Sequence, residues 1–380
     1  MNIKYFDHAA TTQIKKEVLD EMFPYLDEEY GNPSSIHIKG TTARDAIEIA
    51  RNRVADSINA EPEEIFFTSG GTEADNIAIK GFAKANKKKG NHIITSKIEH
   101  KAILKSCNEL EDEGFEITYL DVDKYGLIKL DELRDAIREN TILISIMFAN
   151  NEIGTIQPIK EIGEIAKEYK ITFHTDAVQA IGNIEIDVKK DEIGMLSLSA
   201  HKFYGPKGVG CLYVNKKLNF NGLISGGGQE RGKRSGTENV AGIVGLGKAI
   251  ELATKNIYNY NQKLYKLSQK FLREIEKEEI KIRLNGHPTK RLKGNVNITI
   301  DNMDAESLLL LLSQFGFCVS TASACSAKNS AISHVLKAIG LTEKQAIETL
   351  RITFGEDNTE KDVEDLVKNM KDIINRLETM

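Results

Sequence analysis

The chain has 380 residues, more than a single core usually serves, so two domains are the natural expectation. Hydrophobic residues make up 41% and charged residues 28%, an ordinary globular balance, and a formal net charge of −5 excludes a nucleic-acid surface made by bulk positive charge. The N-terminal stretch has no apolar core of signal-peptide length, and the longest apolar run, 308–312, is far too short for a bilayer, so a cytoplasmic location is expected.

Short apolar runs alternate with amphipathic patterns from about residue 43 to 250. Residues 64–69 (EIFFTS), 92–96 (HIITS), 115–122 (FEITYLDV), 142–150 (ILISIMFAN), 171–176 (ITFHTD), 195–200 (MLSLSA) and 210–215 (GCLYVN) read as strands. Helical spacing fills most of the gaps, as in 130–140 and 159–170. The alternation predicts an α/β fold, a large domain whose mainly parallel seven-stranded sheet is flanked by helices. Residues 251–279 predict one long helix, with Leu264, Leu267, Phe271 and Ile275 on one stripe, leading into a smaller α+β domain. In that domain 294–300 and 350–355 read as strands, and 304–316 and 359–378 as helices. The expected division is 15–255 for the large domain, with 1–14 and 256–380 forming the small one.

The four cysteines form no CxxC pair, and the eight histidines do not complete a zinc-ligand pattern, so no metal is expected. Cys107, Cys211 and Cys318 lie beside apolar residues and are expected in the core. Cys325 sits instead in VSTASACSAKNSAIS (319–333), a run of small polar residues with little to bury. It is either an accident of a polar surface loop or a thiol that has to move.

In open parallel sheets ligands sit outside the carboxyl ends of the strands. At the first such end, FTSGGTEADN places Gly70 and Gly71 before a helix, with Thr72 expected as its N-cap: an anion cradle or an ordinary glycine turn. The run GGGQERGKRSG nearly spells a nucleotide P-loop, but Arg234 stands where a magnesium-binding Ser or Thr is needed. In SLSAHKFYGPKG, Lys202 either snorkels outward or is a desolvated amine suited to a Schiff base, and Ser199 and His201 could donate to a phosphate. Asp176 ends a strand, where a buried carboxylate needs a cation such as a protonated pyridine. Lysine, aspartate and anion cradle are three handles for pyridoxal 5′-phosphate. His100, at another strand-to-helix junction, is a solvated cap or a ring-stacking proton carrier.

Taken together, the segments DHAATT (7–12), GNPSSIH (31–37), SGGTEADN (69–76), EHKAIL (99–104), NNEIGTIQP (150–158), HTDAVQA (174–180), SAHKFYGPKG (199–208), RSGTEN (234–239), SAC (323–325) and LRITFG (350–355) closely resemble the cysteine desulfurases of the NifS/IscS type. These are pyridoxal-phosphate enzymes of fold type I within the class V aminotransferases. The segments occur in the family's order over nearly the whole chain. The resemblance implies that Lys202 carries the cofactor, Asp176 faces its ring nitrogen, His100 stacks on the ring and Gln179 bonds the ring hydroxyl. It further implies that Gly71, Thr72, Ser199 and His201 hold the phosphate, and that Thr237 reaches in from the second subunit of a homodimer. Asn151 and Arg351 would fix the carboxylate of L-cysteine, with the arginine acting as a bidentate fork. Cys325 would accept the sulfur as a persulfide and pass it to an acceptor protein, either an iron–sulfur scaffold or a tRNA- or cofactor-thiolation enzyme. Ala322 replaces a glycine frequent in the family, and the segment after Cys325 has the length of the IscS-like branch. A selenocysteine lyase or a class V aminotransferase on the same scaffold is the alternative, and a sulfur carrier without catalysis is a more distant one.

Overall fold

The structure, a computed structural model, describes residues 3–321 and 332–378. Its strands in chain order are β1 (Lys4–Tyr5), β2 (Ile65–Thr68), β3 (His92–Ser96), β4 (Glu116–Leu120), β5 (Thr141–Ser145), β6 (Thr172–Asp176), β7 (Met195–Ser199), β8 (Gly210–Val214), β9 (Ile282–Leu284), β10 (Asn295–Ile300), β11 (Phe317–Cys318), β12 (Ser320–Thr321) and β13 (Thr349–Thr353). The helices used below are α1 (Lys16–Met22), α2 (Ile38–Ser57), α3 (Gly71–Asn76), α4 (Phe82–Asn86), α5 (Lys101–Asp112), α6 (Leu130–Ala136), α7 (Ile159–Glu168), α8 (Val240–Lys255), α9 (Ile257–Lys277), α10 (Ala305–Gln314), α11 (His334–Ala338), α12 (Glu343–Ile347) and α13 (Glu360–Glu378). Among the described residues no helix is long and apolar enough to cross a membrane.

Seven strands form one sheet in the order β2-β8-β7-β6-β5-β3-β4. The pairs from β7 through β6, β5 and β3 to β4 are parallel, and β8 runs antiparallel to both its neighbours. Every residue of β3, β5 and β7 is buried, which explains why these runs do not alternate: helices cover both faces. One large apolar cluster packs α2, α7 and α8 against the sheet, and another packs α3, α4 and α5 against its other side. A third cluster holds the smaller unit together, with α9, α10 and α13 against the antiparallel sheet β12-β13-β10-β9.

Residues 251–279 are not one helix. Asn256, at φ −123° and ψ 16°, separates α8 from α9. Ile243, Leu246 and Ile250 of α8 belong to the large-domain core, whereas Leu264, Leu267, Phe271 and Ile275 of α9 belong to the small-domain core. Two cores in different directions require a break in the rod. Helix α6 is also shorter than the 130–140 pattern, ending at Ala136. Val335, Leu336 and Ile339, around α11, pack into the large-domain cluster although the expected division counted them with the small domain.

Both chain ends close the small unit. β1 pairs parallel with β11, Thr353 N–H donates to Phe6 O at 2.7 Å, and Lys4 bonds Asp365 of α13 at 2.6 Å. Arg291 is buried with its guanidinium donating to carbonyls of Asn285, Asn295 and Ile153, which ties loop 285–295 to the turn after residue 151.

The near-P-loop run 226–236 is a structural turn. Glu230 and Arg231 both have positive φ, 44° and 55°. That turn delivers the Glu230 carboxylate to Arg51 of α2, at 2.9 Å on each oxygen, and to Phe67 N–H of β2. Both side chains of the pair are almost fully buried. Arg51→Met should therefore leave a buried carboxylate without its cation and lower unfolding stability by about 3–5 kcal/mol. Urea denaturation measures this, and the double variant Arg51→Met/Glu230→Leu should recover most of the loss.

Candidate functional site

Five strands of the large sheet deliver their carboxyl ends to one side, and a cleft of about 280 Å³ opens there, just below the ligand-pocket range of about 300–1,000 Å³. Gly71 and Thr72 follow β2, His100 follows β3, Asn151 follows β5, and Asp176 and Gln179 end β6. Ser199, His201 and Lys202 come from the end of β7, and Arg351 reaches in from β13 of the small unit. The structure thus brings ten of the expected residues around one cavity.

The cradle is built by glycine. Gly70 has φ +153°, and a Cβ on Gly71 would stand 2.7 Å from Val178 Cγ2, so this backbone must pass close to the turn after β6. Gly70, not Thr72, occupies the N-cap position of α3. Thr72 stands inside the first turn of that helix, where its exposed side chain lines the cleft, and Glu73 takes the N–H of Ser69 at 2.6 Å. His201, across the cradle, is pushed down to about 4 by burial and by neighbouring Lys202 and Lys207, which makes it a neutral hydrogen-bonding group at pH 7.

Lys202 does not point outward. Its Nζ donates to Ala9 O at 2.7 Å and Ala10 O at 2.9 Å. The DHAATT segment is stitched to this corner at several points: Thr12 Oγ1 donates to His201 O, Tyr204 N–H donates to Thr12 Oγ1, and Gln179 Nε2 donates to Ala9 O. The first dozen residues are therefore one wall of the cleft, with Lys202 and Gln179 held against it.

Asp176 is buried, and loss of water raises its carboxyl above the usual range while His100, the Val178 N–H at 2.9 Å and Lys202 oppose the rise. His100 is both cap and cleft residue. Its Nδ1 accepts from Ala102 N–H at 3.2 Å, leaving the proton on Nε2, and burial lowers its pKa against the pull of Asp176. Two more buried acids escaped sequence reasoning. Asp75 lies in α3, and Glu99 precedes His100 with its Oε1 accepting from Ser96 Oγ and Met147 N–H. Burial lifts Glu99 to about 8. No local pattern marks these acids, because only the packing shows that water is removed from them.

At the other end of the cleft, Arg351 Nη2 bonds Asp7 at 2.7 Å and Nη1 donates to Asn151 O at 3.1 Å, while its buried Nε has no partner among the described residues. The fork expected for a carboxylate is thus oriented by Asp7, 344 residues away in the chain. Next to Asn151, Glu152 is buried, lifted to about 7, and accepts from Ser333 Oγ at the start of α11. Thr237 is exposed and lines a separate cavity of about 150 Å³ with Ser69, Gly208 and Arg234. Cys325 lies outside the described residues. Cys107 and Cys211 are fully buried as expected, but Cys318 is only half-buried.

Glu99 gives a signed pH dependence. Between about 4.5 and about 8 the folded protein holds a proton that the unfolded chain has lost, so Glu99 lowers unfolding stability progressively as pH rises through that window. Glu99→Gln keeps the acceptor for Ser96 and Met147 but cannot ionise. Denaturation from pH 5 to 8 should show a shallower fall in stability for this variant than for the parent.

The Aminotransferase class-V family model matches residues 4–366. A cysteine desulfurase IscS of Methanosarcina thermophila is 56% identical over 99% of this chain and 93% of its own. A solved NifS-like protein superposes with a TM-score of 0.93 at 39% identity, covering 99% of this chain and 100% of that one. A structure of SspA in complex with cysteine superposes with a TM-score of 0.81 at 41% identity, over 94% of this chain and 100% of that one. With a family model spanning almost the whole chain and relatives this similar end to end, the chain belongs to the class-V aminotransferase family, among the cysteine desulfurases of the NifS/IscS type.

Proposed function

We propose that the protein removes sulfur from free L-cysteine with pyridoxal 5′-phosphate as cofactor, releases L-alanine, and passes the sulfur to an acceptor protein through Cys325. The convergence of Lys202, Asp176, His100 and the glycine cradle on one cleft carries this reading. The residues fit the cofactor. The cradle admits no side chain at Gly71, and the donor set there is suited to a phosphate. The buried Asp176 carboxylate calls for a cation such as a ring nitrogen carrying a proton.

When bound, the cofactor supplies a carbonyl that condenses with amines and a ring that accepts an electron pair. Lys202 would hold it, and its freed amine would take the proton from the substrate α-carbon. Asp176 would keep a proton on the ring nitrogen, Gln179 would bond the ring hydroxyl, and His100 would stack on the ring. Asn151 and Arg351 seize the substrate carboxylate, with Asp7 keeping the guanidinium aimed. The thiolate of Cys325 attacks the substrate sulfur. An S–S bond forms, the C–S bond breaks, and its electron pair passes to the carbon side. The proton on His100 Nε2 is in place for that step, after which protonation of the carbon releases alanine. An acceptor thiol then attacks the outer sulfur of the persulfide, so the partner is a thiol-bearing iron–sulfur scaffold or thiolation enzyme.

A second copy of this chain completes the site in this proposal. Phe23, Leu26, Tyr30, Ile36 and Ile38 are 64–95% exposed in one stretch of sequence, apolar side chains that a second copy of the chain would cover. Thr237 is exposed and lines a cavity separate from its own protomer's cleft, which suits a residue donated to a partner.

Lys202→Ala should abolish alanine release, and borohydride should fix the cofactor on the peptide containing Lys202. Cys325→Ala should cut alanine release by about a hundredfold or more, since the nucleophile acts in the sulfur-breaking step. Retained turnover in Cys325→Ala would favour an aminotransferase. Sedimentation should show a dimer, and Thr237→Val should weaken cofactor retention about tenfold, the value of one hydrogen bond to a charged group.

A further inference from the structure

Asp75 is 1% exposed, lies on the cradle helix α3, and shares the floor of the cleft with Asp176. Ligand atoms of Asp75, Asp176 and His100 all lie within 4.8 Å of one another. Two carboxylates this close and this dry do not both ionise. The groups facing Asp75 decide which one does. Asp176 receives the Val178 N–H and has Lys202 nearby as a source of positive charge. Asp75 Oδ1 has no hydrogen-bond partner among the described residues. His174 Nε2 is 3.9 Å from it, but both ring nitrogens of His174 are engaged by Ser145 and Ser197 hydroxyls, and burial drops this imidazole to about 3, so it brings no charge. Glu99 adds repulsion, and a hydrogen bond from Ser197 opposes it.

We propose that Asp75 is a positioning residue for the reaction: it stands as the neutral acid behind Asp176, so that the cleft floor carries one negative charge, placed opposite the ring nitrogen. The second half of that statement rests on the role proposed above for Asp176. The proton on Asp75 keeps the ring nitrogen facing a single, located carboxylate. Two ionised acids would repel each other and spread the charge. Burial, the largest influence on Asp75, acts in the same direction.

Infrared spectra of the apoprotein at pH 7, with ¹³C only at aspartate carboxyls, test this without signal from Glu99 or Glu152. A protonated-carboxyl band is expected, lost in Asp75→Asn and kept in Asp176→Asn. In the same variants, apoprotein titrated with pyridoxal 5′-phosphate should bind within about threefold of the parent for Asp75→Asn, because the neutral isostere preserves the charge count. Asp176→Asn should lose about a hundredfold or more, as the ring nitrogen loses its counter-charge. Absence of a protonated aspartate in the parent overturns the proposal even if Asp75→Asn fails to fold, and so does a band lost only in Asp176→Asn. A band lost in Asp75→Asn with unchanged cofactor affinity in Asp176→Asn keeps the neutral Asp75 and removes the role of Asp176 instead.

Discussion

Asp176 ends a strand buried within the sheet, and a carboxylate in that position must be answered by donors or positive charge. The neighbourhood is organised around that requirement. The Val178 N–H turns back onto it, His100 is brought to it by the cap of α5, and Lys202 is carried there by the turn after β7. These groups reduce the cost of the buried charge without cancelling it. The chain thus maintains a site whose electrostatics favour a cationic ring, and the cofactor of this family supplies one. The acid is expensive to keep, and that expense gives the cleft its selectivity for what it binds.

The second organising element is the segment from Asp7 to Thr12. Its carbonyls hold Lys202 and Gln179, Thr12 bonds the backbone of His201 and Tyr204, and its aspartate aims Arg351. Cofactor end and substrate end of the cleft are therefore referenced to one short stretch of backbone. Arg291 acts similarly on the far side, joining loop 285–295 to the turn that carries Asn151 with hydrogen bonds to neutral carbonyls.

Much of this was visible in the amino-acid pattern because parallel sheets place chemistry at predictable addresses. Strands such as ILISIMFAN announced themselves by nearly continuous apolar content, and polar residues just beyond the strand ends became the cleft. The pattern failed where tertiary structure decides. Residues 251–279 keep helical spacing throughout, yet the stripe before Asn256 and the stripe after it serve different cores. Thr72 has the chemistry of a cap, but the helix already begins at Gly71 and places Thr72 inside its first turn. Asp75, Glu99 and Glu152 are unremarkable acids in sequence, and they matter only because folding strips them of water. The link between Asp7 and Arg351 spans almost the entire chain, beyond the reach of any local rule.

That last link has a bearing on biosynthesis. The strand formed by Lys4 and Tyr5 has no hydrogen-bonding neighbour until Phe317 and Cys318 exist, and the backbone of Phe6 waits for Thr353. A nascent chain emerging from the ribosome can assemble the large sheet early, with Ala9 and Thr12 already tied to Gln179, His201 and Tyr204, yet the arginine that Asp7 aims arrives only when the last strand is free of the exit tunnel. The Arg351 end of the cleft is thereby completed only when translation is essentially finished, and a product truncated before that strand, though able to build most of its sheet, lacks this guanidinium.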